Sequence, residues 1–207
     1  MWLRVLALLL GGAAIVTLLA SGPGVRLGLW DWRLGLGLLR YAAYLGIAAA
    51  AVSLVGLLIP RTRGKTLVLA LVLGLASLAP PLAFQRQARS VPPINDISTD
   101  APSKAQQQAY PDVKPIMLAE PREKAFERAL AAARAMGWEI VTRDPAAGRI
   151  EAVDTTLWFG FKDDVVVQVS AAAGGGSRVD VRSKSRLGRG DAGTNARRIR
   201  GFRERLS

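Results

Sequence analysis

The sequence predicts an α+β protein in which three N-terminal transmembrane helices precede a small two-layer domain. Two observations support this prediction. The first 84 of the 207 residues contain three long apolar runs and only eight charged side chains, whereas the remainder contains 21 basic and 15 acidic ones. In that remainder, one helical run, four strand-like runs and a second helical run follow one another. The domain is therefore expected to be an antiparallel four-stranded sheet with helices on one face, in the order α-β-β-β-β-α.

The first apolar run, Val5–Ala20, follows Arg4 and reaches spanning length when residues 3–21 are counted. A spanning helix needs about 20 apolar residues, because each adds 1.5 Å across about 30 Å of hydrocarbon. The alternative is a cleaved signal peptide, with Arg4 as its basic start and Ala20-Ser21-Gly22 as a small-residue cleavage site. We favour a retained helix, because two further spans follow rather than a soluble domain.

The second and third spans are predicted at about residues 36–59 and 66–84. Aromatic rings, which prefer the headgroup level of a membrane, cluster at the start of the second run: Trp30, Trp32, Tyr41 and Tyr44. Arg40 lies about one turn inside this span and can extend its side chain to the same level; a functional charge inside the membrane is the alternative.

The orientation follows from the short connection Pro60–Lys65, which carries three positive charges and no negative one. Short basic loops lie on the cytoplasmic side of a membrane. With three spans, the N-terminus is then also cytoplasmic, and everything after residue 84 lies outside. The charge bias is modest, because Arg26 and Arg33 fall in the outer loop.

Residues 85–120 are rich in Pro, Gln, Ser and Asp. Repeated prolines are incompatible with a continuous helix, so this segment is predicted to be extended. It also contains apolar side chains that a pure tether would lack, so parts of it are expected to lie along the domain: Ile94, Ile97, Tyr110, Val113 and Ile116.

The domain itself is predicted at residues 121–207. Pro121 suits the first turn of a helix and Gly137 its end. Four strands are expected next, at Trp138–Arg143, Arg149–Phe161, Val165–Ala171 and Arg178–Arg186. Their short connections favour antiparallel pairing, since a parallel crossover needs a dozen residues or more. A last helix is predicted from about Asp191 to Leu206, with Asn195 among the apolar residues of one side and arginines on the other.

The composition excludes several kinds of site. The chain has no cysteine and no histidine, which excludes disulfides, an imidazole base and the common zinc sites. The adjacent pairs Asp163-Asp164 and Asn95-Asp96 are interpreted as turn or capping residues, since no local spacing supplies the oxygen ligands of Ca²⁺ or Mg²⁺. We therefore predict no metal site and no cofactor.

The segment Gly188–Gly193 is a literal GxGxxG after a strand and before a helix, as in dinucleotide-binding folds. Only 14 residues follow it, which leaves no room for a second parallel strand or for an acidic residue that could bind a ribose. A tight turn in which Asp191 caps the last helix is the favoured interpretation.

The last predicted strand alternates, so that Val179, Val181 and Ser183 face one way while Arg182, Lys184 and their basic neighbours face the other. Residues 178–207 carry ten basic and three acidic side chains, whereas residues 85–177 carry eleven and twelve. The excess positive charge of the domain thus lies in its last 30 residues. One interpretation is a solvated sheet face, partly neutralised from neighbouring strands by Glu139, Glu151 or Asp154. The other is an anion-binding surface.

The candidate ligand-binding residues are Arg182, Lys184, Arg186, Arg189, Asn95, Asp96 and Asp191. An anionic ligand, a lipid headgroup or a protein of the cell envelope is the expected partner. Nucleic acid is not, because the domain is expected outside the cytoplasm. An envelope enzyme that uses Asp96, Asp191 or Ser183 remains the alternative. A Ser–Lys dyad is not expected, because Ser183 and Ser185 project opposite to Lys184 on a strand.

Several stretches in residues 90–206 resemble the bacterial domain-of-unknown-function family 1499. They are the segments VPPINDISTD, MGWEIV and DDVVVQV, the Tyr110-Pro111 step and, most specifically, RVDVRSKSRLGRGDAGTNARRIRGF. Gln168 stands where the family pattern suggests Arg, and the last helix is richer in Arg. The resemblance implies a membrane-tethered protein, here in the bacterial inner (plasma) membrane. It implies no activity, cofactor or catalytic residue.

Overall fold

The computed structural model of the protein describes residues 1–206 and divides into two compact units. The helical unit comprises Met1–Arg86 together with the short segment Leu157–Gly160. The sheet unit comprises Gln87–Thr156 and the residues from Phe161 onwards. Both the predicted three helices and the predicted α+β character are confirmed.

The helical unit contains α1 (Trp2–Arg26), α2 (Trp32–Leu58) and most of α3 (Lys65–Arg89), with a 3-10 turn at Pro60–Thr62 before α3. All three helices are long and apolar enough to cross a membrane. The third is longer than the predicted span and includes Pro80-Pro81 within the helix. Proline is tolerated in membrane-type helices, because neighbouring groups can satisfy the carbonyls that it leaves free.

Small residues let the helices of this unit approach each other closely. A Cβ atom on Gly46 of α2 would lie 2.6 Å from the Gly74 carbonyl oxygen and 2.1 Å from Ser77 Oγ, both in α3. Large apolar side chains such as Val72 and Leu75 are instead more than half exposed. Small residues inside and large apolar residues outside are the pattern of helices that pack within lipid.

The sheet unit contains one antiparallel sheet with the strand order β1-β6-β5-β4-β3. The strands lie at β1 Asp96–Ser98, β2 Ile116–Leu118, β3 Glu139–Asp144, β4 Arg149–Thr155, β5 Lys162–Ala171 and β6 Ser177–Ser185. The strand β2 also pairs with β6. It lies beside the first residues of β6, whereas β1 lies beside the last residues of β6.

The sheet thus has six strands rather than the predicted four. Both additional strands come from the segment that was expected to be extended, and a short helix, α4 (Lys104–Ala109), lies between them. Three-residue strands are too short to produce an alternating pattern, which is why the sequence did not reveal them. The expectation that apolar residues of this segment lie along the domain is confirmed, because Ile97 and Ile116 are in the core.

The helices α5 (Arg122–Ala135) and α6 (Thr194–Leu206) cover one face of the sheet. The ring of Trp138 stacks on that of Phe202 with centroids 5.2 Å apart, and both residues are buried. Alternate residues of β5 and β6, such as Val167 and Val181, face these helices. The opposite face of the sheet carries exposed charged side chains, such as Arg182 and Asp164, and is called the open face below.

Two predicted boundaries in this region are wrong. The strand expected at Arg149–Phe161 ends at Thr155, because the chain closes a loop there: the Thr156 N–H donates to the Phe161 carbonyl (2.8 Å) and the Phe161 N–H donates to Thr156 Oγ1 (2.9 Å). The pair Asp163-Asp164, expected in a turn, lies within β5. This strand position is favourable because the Asp163 carboxylate pairs with a buried arginine, Arg198, and the Asp164 carboxylate pairs with an exposed one, Arg186.

Candidate functional site

The open face carries the alternating cations that the sequence predicts on β6. Ser183 and Val181 are buried toward the helices, whereas Arg182 and Lys184 are exposed on the other side. In the register, Lys184 lies between Asp96 of β1 and Asp164 of β5. Two carboxylates therefore flank the cations directly.

Arg182 holds Asp96 in a two-pronged ion pair. Its Nε lies 2.9 Å from Asp96 Oδ1 and its Nη2 lies 2.6 Å from Oδ2. The hydrogen bond from Arg182 lowers the pKa of the Asp96 carboxyl, and the charges of Arg182 and Lys184 act in the same direction. The same contact raises the pKa of the Arg182 guanidinium. Both groups are thus charged at neutral pH.

Arg186 holds Asp164 in a similar way, with 2.6 Å between Nη2 and Oδ1. The carboxylates that neutralise the cations are therefore Asp96 and Asp164, not the ones expected from the sequence. Of the carboxylates expected from the sequence, Glu151 instead binds Arg149 on its own strand at 2.8 Å. Asp154 lies on the helix-facing side of the sheet. The charge of Glu139 acts on the Arg186 guanidinium, but the two groups form no ion pair.

Two of the predicted cations have no such partner. Within residues 1–206, no carboxylate lies within 4.0 Å of the Lys184 ammonium or the Arg189 guanidinium, and both side chains are exposed. Lys184 follows Arg182 on the open face, and Arg189 lies in the loop after β6. Together, Arg182, Lys184, Arg186 and Arg189 form what we call the basic ladder, with two paired and two unpaired members.

Asn95 connects the elements that surround the loop after β6. Its carbonyl accepts hydrogen bonds from the Ser185 N–H (2.8 Å) and from Asn195 Nδ2 (3.0 Å). Its side-chain Nδ2 donates to the Gly188 carbonyl at 2.7 Å. The residue therefore fixes β1, the loop and α6 to one another, which is a structural role.

Asp191 caps α6, as the sequence predicts. Its Oδ1 accepts from the Gly193 N–H (2.8 Å) and its Oδ2 from the Asn195 N–H (2.6 Å). The turn needs left-handed backbone at two successive residues, Ala192 (φ 52°) and Gly193 (φ 75°). The Asp191 carboxylate occupies amide groups that an anion at this helix terminus would need, so the GxGxxG sequence here is a capping turn.

Beneath the sheet lies a buried polar network centred on Arg198 of α6, whose side chain is 3% exposed. Its Nε donates to Asp154 Oδ2 and its Nη2 to Asp163 Oδ2, each at 2.6 Å. Its Nη1 donates to Ser183 Oγ (2.8 Å) and to Asn195 Oδ1 (2.5 Å). The expectation that arginines line the exposed side of the last helix is therefore wrong for Arg198.

Ser183, named as a possible catalytic residue, belongs to this network and is fully buried. Its hydroxyl donates to Asn195 Oδ1 at 2.7 Å and accepts from Arg198. Asn195 Nδ2 in turn donates to Ser185 Oγ at 3.0 Å. The Ser183 hydroxyl is thus buried, with both its donor and its acceptor function occupied by protein groups.

A separate, partly open pocket of about 490 Å³ lies beside β6. Asp100, Lys114 and Arg178 provide its charged groups and Tyr110 an aromatic wall. Arg178 contacts Asp100 at 3.1 Å and Asp180 at 2.7 Å. None of the residues predicted for ligand binding lines this cavity.

The sheet unit lies within the part of the chain that matches a known protein family. The profile described as "Protein of unknown function (DUF1499)" matches residues 84–206. The chain belongs to this family. No curated protein matches the chain.

The DUF1499 match begins within α3 and covers the whole described part of the sheet unit. It includes all seven residues predicted for ligand binding, so the basic ladder and the Arg198 network both lie in the family domain. The helices α1 and α2 lie outside it. The family description gives no activity.

The Arg198 network is not among the sequence predictions, although the sequence contains one signal for it. Asn195 falls on the apolar side of the predicted last helix, and Arg198 follows it by three residues and precedes Phe202 by four. These spacings put all three on one helix face. A buried arginine needs carboxylate partners, and the adjacent Asp163-Asp164 pair in a strand-like run could have supplied them.

Proposed function

We propose that this DUF1499 protein is an integral protein of the bacterial inner membrane whose sheet unit lies outside the cytoplasm. Three helices of spanning length support the insertion. The orientation rests on the basic loop between α2 and α3. Arg4 strengthens this argument, because its guanidinium donates to the carbonyls of Thr62 (2.8 Å) and Arg63 (2.5 Å) and so adds a cation at the same end of the unit.

We further propose that the sheet unit is a binding module for an anionic ligand, contacted through the basic ladder. The observation that carries this proposal is the presence of two unpaired, exposed cations, Lys184 and Arg189, beside two paired arginines. The four cations of the basic ladder form ion pairs with only two carboxylates, Asp96 and Asp164, so the ladder itself keeps a net positive charge. Such a surface attracts phosphate or carboxylate groups.

A binding role is favoured over the enzymatic alternative by what the candidate catalytic groups do. Ser183 is buried in the Arg198 network, and the Asp191 carboxylate caps α6. Asp96 is held ionised by Arg182, which makes it a poor proton donor at neutral pH. Ser183 and Asp191 thus make the hydrogen bonds of structural residues, and Asp96 serves as the counter-ion of Arg182.

The binding proposal can be tested with the full chain in nanodiscs of phosphatidylcholine. Vesicles that contain phosphatidylglycerol serve as the anionic probe, and binding is measured at increasing salt concentration. Each basic residue near an anionic lipid surface contributes about 1 kcal/mol, so Lys184→Ala/Arg189→Ala should weaken binding about 30-fold. Affinity of the parent should fall steeply with salt, because the Debye length is only about 8 Å at physiological ionic strength.

The matched control is Lys104→Ala/Lys124→Ala, which removes two exposed cations elsewhere on the sheet unit. This variant should bind nearly as the parent does. Equal losses in both double variants would show that the ladder is not the binding surface. A soluble phosphate-containing competitor then separates the two sources of the anion: release of the vesicles would indicate recognition of a phosphate group rather than of a lipid surface.

The orientation is tested separately with single cysteines, since the chain contains none of its own. Gly174→Cys lies in the loop between β5 and β6, and Arg63→Cys lies in the basic loop. In intact spheroplasts, a membrane-impermeant thiol reagent should label the first and spare the second. The reverse pattern would place the sheet unit in the cytoplasm.

A further inference from the structure

The helical unit has a distinct aromatic end, where α1 finishes and α2 begins. The Trp30 indole N–H donates to the Ser21 carbonyl at 3.3 Å, and the Arg33 guanidinium lies 4.8 Å from the centre of the Trp32 ring. Tryptophan and arginine side chains at one end of apolar helices are typical of the headgroup level of a membrane.

The segment Leu157–Gly160 packs against this aromatic end within the helical unit. The Trp158 indole N–H donates to Ser21 Oγ at 3.3 Å. Arg26 Nη1 donates to the Leu157 carbonyl at 2.7 Å. Phe159 packs beside a cluster that includes Leu18 of α1. This short segment thus adds the rings of Trp158 and Phe159 to the aromatic end of the helical unit.

A glycine makes room for this packing. A Cβ atom on Gly22 would lie 2.2 Å from Trp158 Cδ1 and 2.5 Å from its Nε1, distances that atoms cannot adopt. By contrast, a Cβ on Gly12, ten residues earlier in the same helix, would meet nothing within 4 Å. The absence of a side chain at residue 22 therefore provides the space that the Trp158 ring occupies.

The segment nevertheless leaves two large apolar side chains partly or mostly uncovered. Leu157 is 86% exposed and Trp158 is 40% exposed. Exposed apolar side chains beside one another on a soluble surface mark an interaction site. Here the adjoining surface consists of exposed apolar side chains on helices long enough to span a membrane, so lipid is the occupant that continues the same environment.

From this arrangement we propose that Leu157–Gly160 is a membrane-interface element, in which Trp158 sits on α1 and Leu157 enters the headgroup region. The proposal rests on the membrane insertion of the three helices proposed above. It adds a fourth lipid contact, formed by residues far from the apolar runs in the sequence, and it assigns a role to Gly22.

Single-cysteine fluorescence in reconstituted vesicles tests this proposal with the full chain. Leu157→Cys, labelled with a nitrobenzoxadiazole probe, is compared with Leu75→Cys in the middle of α3 and with Gly174→Cys in the β5–β6 loop. Quenching is measured with nitroxide-labelled phospholipid and, separately, with aqueous iodide. We expect lipid quenching at residue 157 to reach at least half of that at residue 75, and iodide quenching to be several-fold weaker than at residue 174.

The three positions separate the two proposals. If the probe at residue 75 is not quenched by lipid, the helices do not span and the membrane proposal itself fails. If residue 75 is quenched by lipid while residue 157 behaves like residue 174, the helices span but the interfacial role of Leu157–Gly160 is wrong.

A second comparison tests the seat of Trp158. In the Leu157→Cys background, Gly22→Ala should reduce lipid quenching at least two-fold, because the added methyl group displaces the Trp158 ring. Gly12→Ala should leave the quenching unchanged, since its methyl group enters open space. Equal quenching in the two variants would show that packing on Gly22 does not place the segment in the interface.

Discussion

The two faces of the sheet use arginine in different ways. On the helix-facing side, Arg198 is 3% exposed and has protein partners for three of its nitrogens. On the open face, Arg182 and Arg186 are about half exposed, and each binds one carboxylate. The chemistry of the ion pairs is the same, but the surrounding solvent differs. Burial makes the first arrangement a requirement for folding and leaves the second free to exchange partners.

This difference separates structure from function in a domain of high positive charge. Removing one partner of a buried pair leaves an unpaired charge in a medium of low polarity, which costs several kcal/mol. Removing one partner of an exposed pair costs little, because water solvates the remaining charge. We therefore expect mutations beneath the sheet to change stability and mutations on the open face to change binding.

The largest effect is expected for Arg198→Ala. The change leaves the buried Asp163 carboxylate without its partner and should lower the free energy of unfolding of the sheet unit by about 3–5 kcal/mol. Urea unfolding of the full chain in detergent measures this, followed by the fluorescence of the buried Trp138. The other four tryptophans are replaced by phenylalanine in every protein compared.

Arg200→Ala is the matched control for Arg198→Ala, because it removes an arginine from the same helix. Arg200 binds Asp112 at 2.6 Å, but both side chains are well exposed. Its loss should lower the free energy of unfolding by at most about 1 kcal/mol. Equal costs for the two changes would remove the distinction between the two faces.

An intermediate effect is expected for Ser183→Ala. The Arg198 Nη1 group loses one acceptor beneath the sheet, and a buried polar group left without a partner costs about 1–3 kcal/mol. Ser170→Ala, on the open face of β5, should change the free energy of unfolding by less than about 0.5 kcal/mol. A Ser183→Ala protein as stable as the parent would show that the hydroxyl is not a structural member of the network.

The smallest effect concerns the Asp96–Arg182 pair and depends on pH. The folded-state pKa of Asp96 is below that of the unfolded chain, so the pair stabilises the fold above the ordinary aspartate pKa of about 3.9. Asp96→Asn should therefore cost about 0.2–1 kcal/mol at pH 7. This difference from the parent should begin to shrink as the pH falls below about 4, where Asp96 becomes protonated in the unfolded chain, and it should disappear below the lowered pKa of the folded protein. A difference that does not change with pH would contradict the assignment.

The coarse architecture could be predicted from the sequence because it depends on local patterns. Apolar length gives the three helices, and strict alternation places Arg182 and Lys184 opposite Ser183. The strands β1 and β2 could not be predicted, because their few residues are fixed by pairing with the distant β6. The partners of the cations were missed for the same reason: Asp96 reaches Arg182 across 86 residues, through a register that local sequence does not encode.

The vesicle affinity of Asp96→Asn/Asp164→Asn tests most directly whether the open face is an exchangeable binding surface. This double variant removes both carboxylates of the ladder and releases Arg182 and Arg186. At about 1 kcal/mol per released cation near an anionic surface, affinity for phosphatidylglycerol vesicles should rise about 30-fold over the parent. The gain should disappear at high salt. Unchanged or weaker binding by a protein with parental stability would contradict the claim.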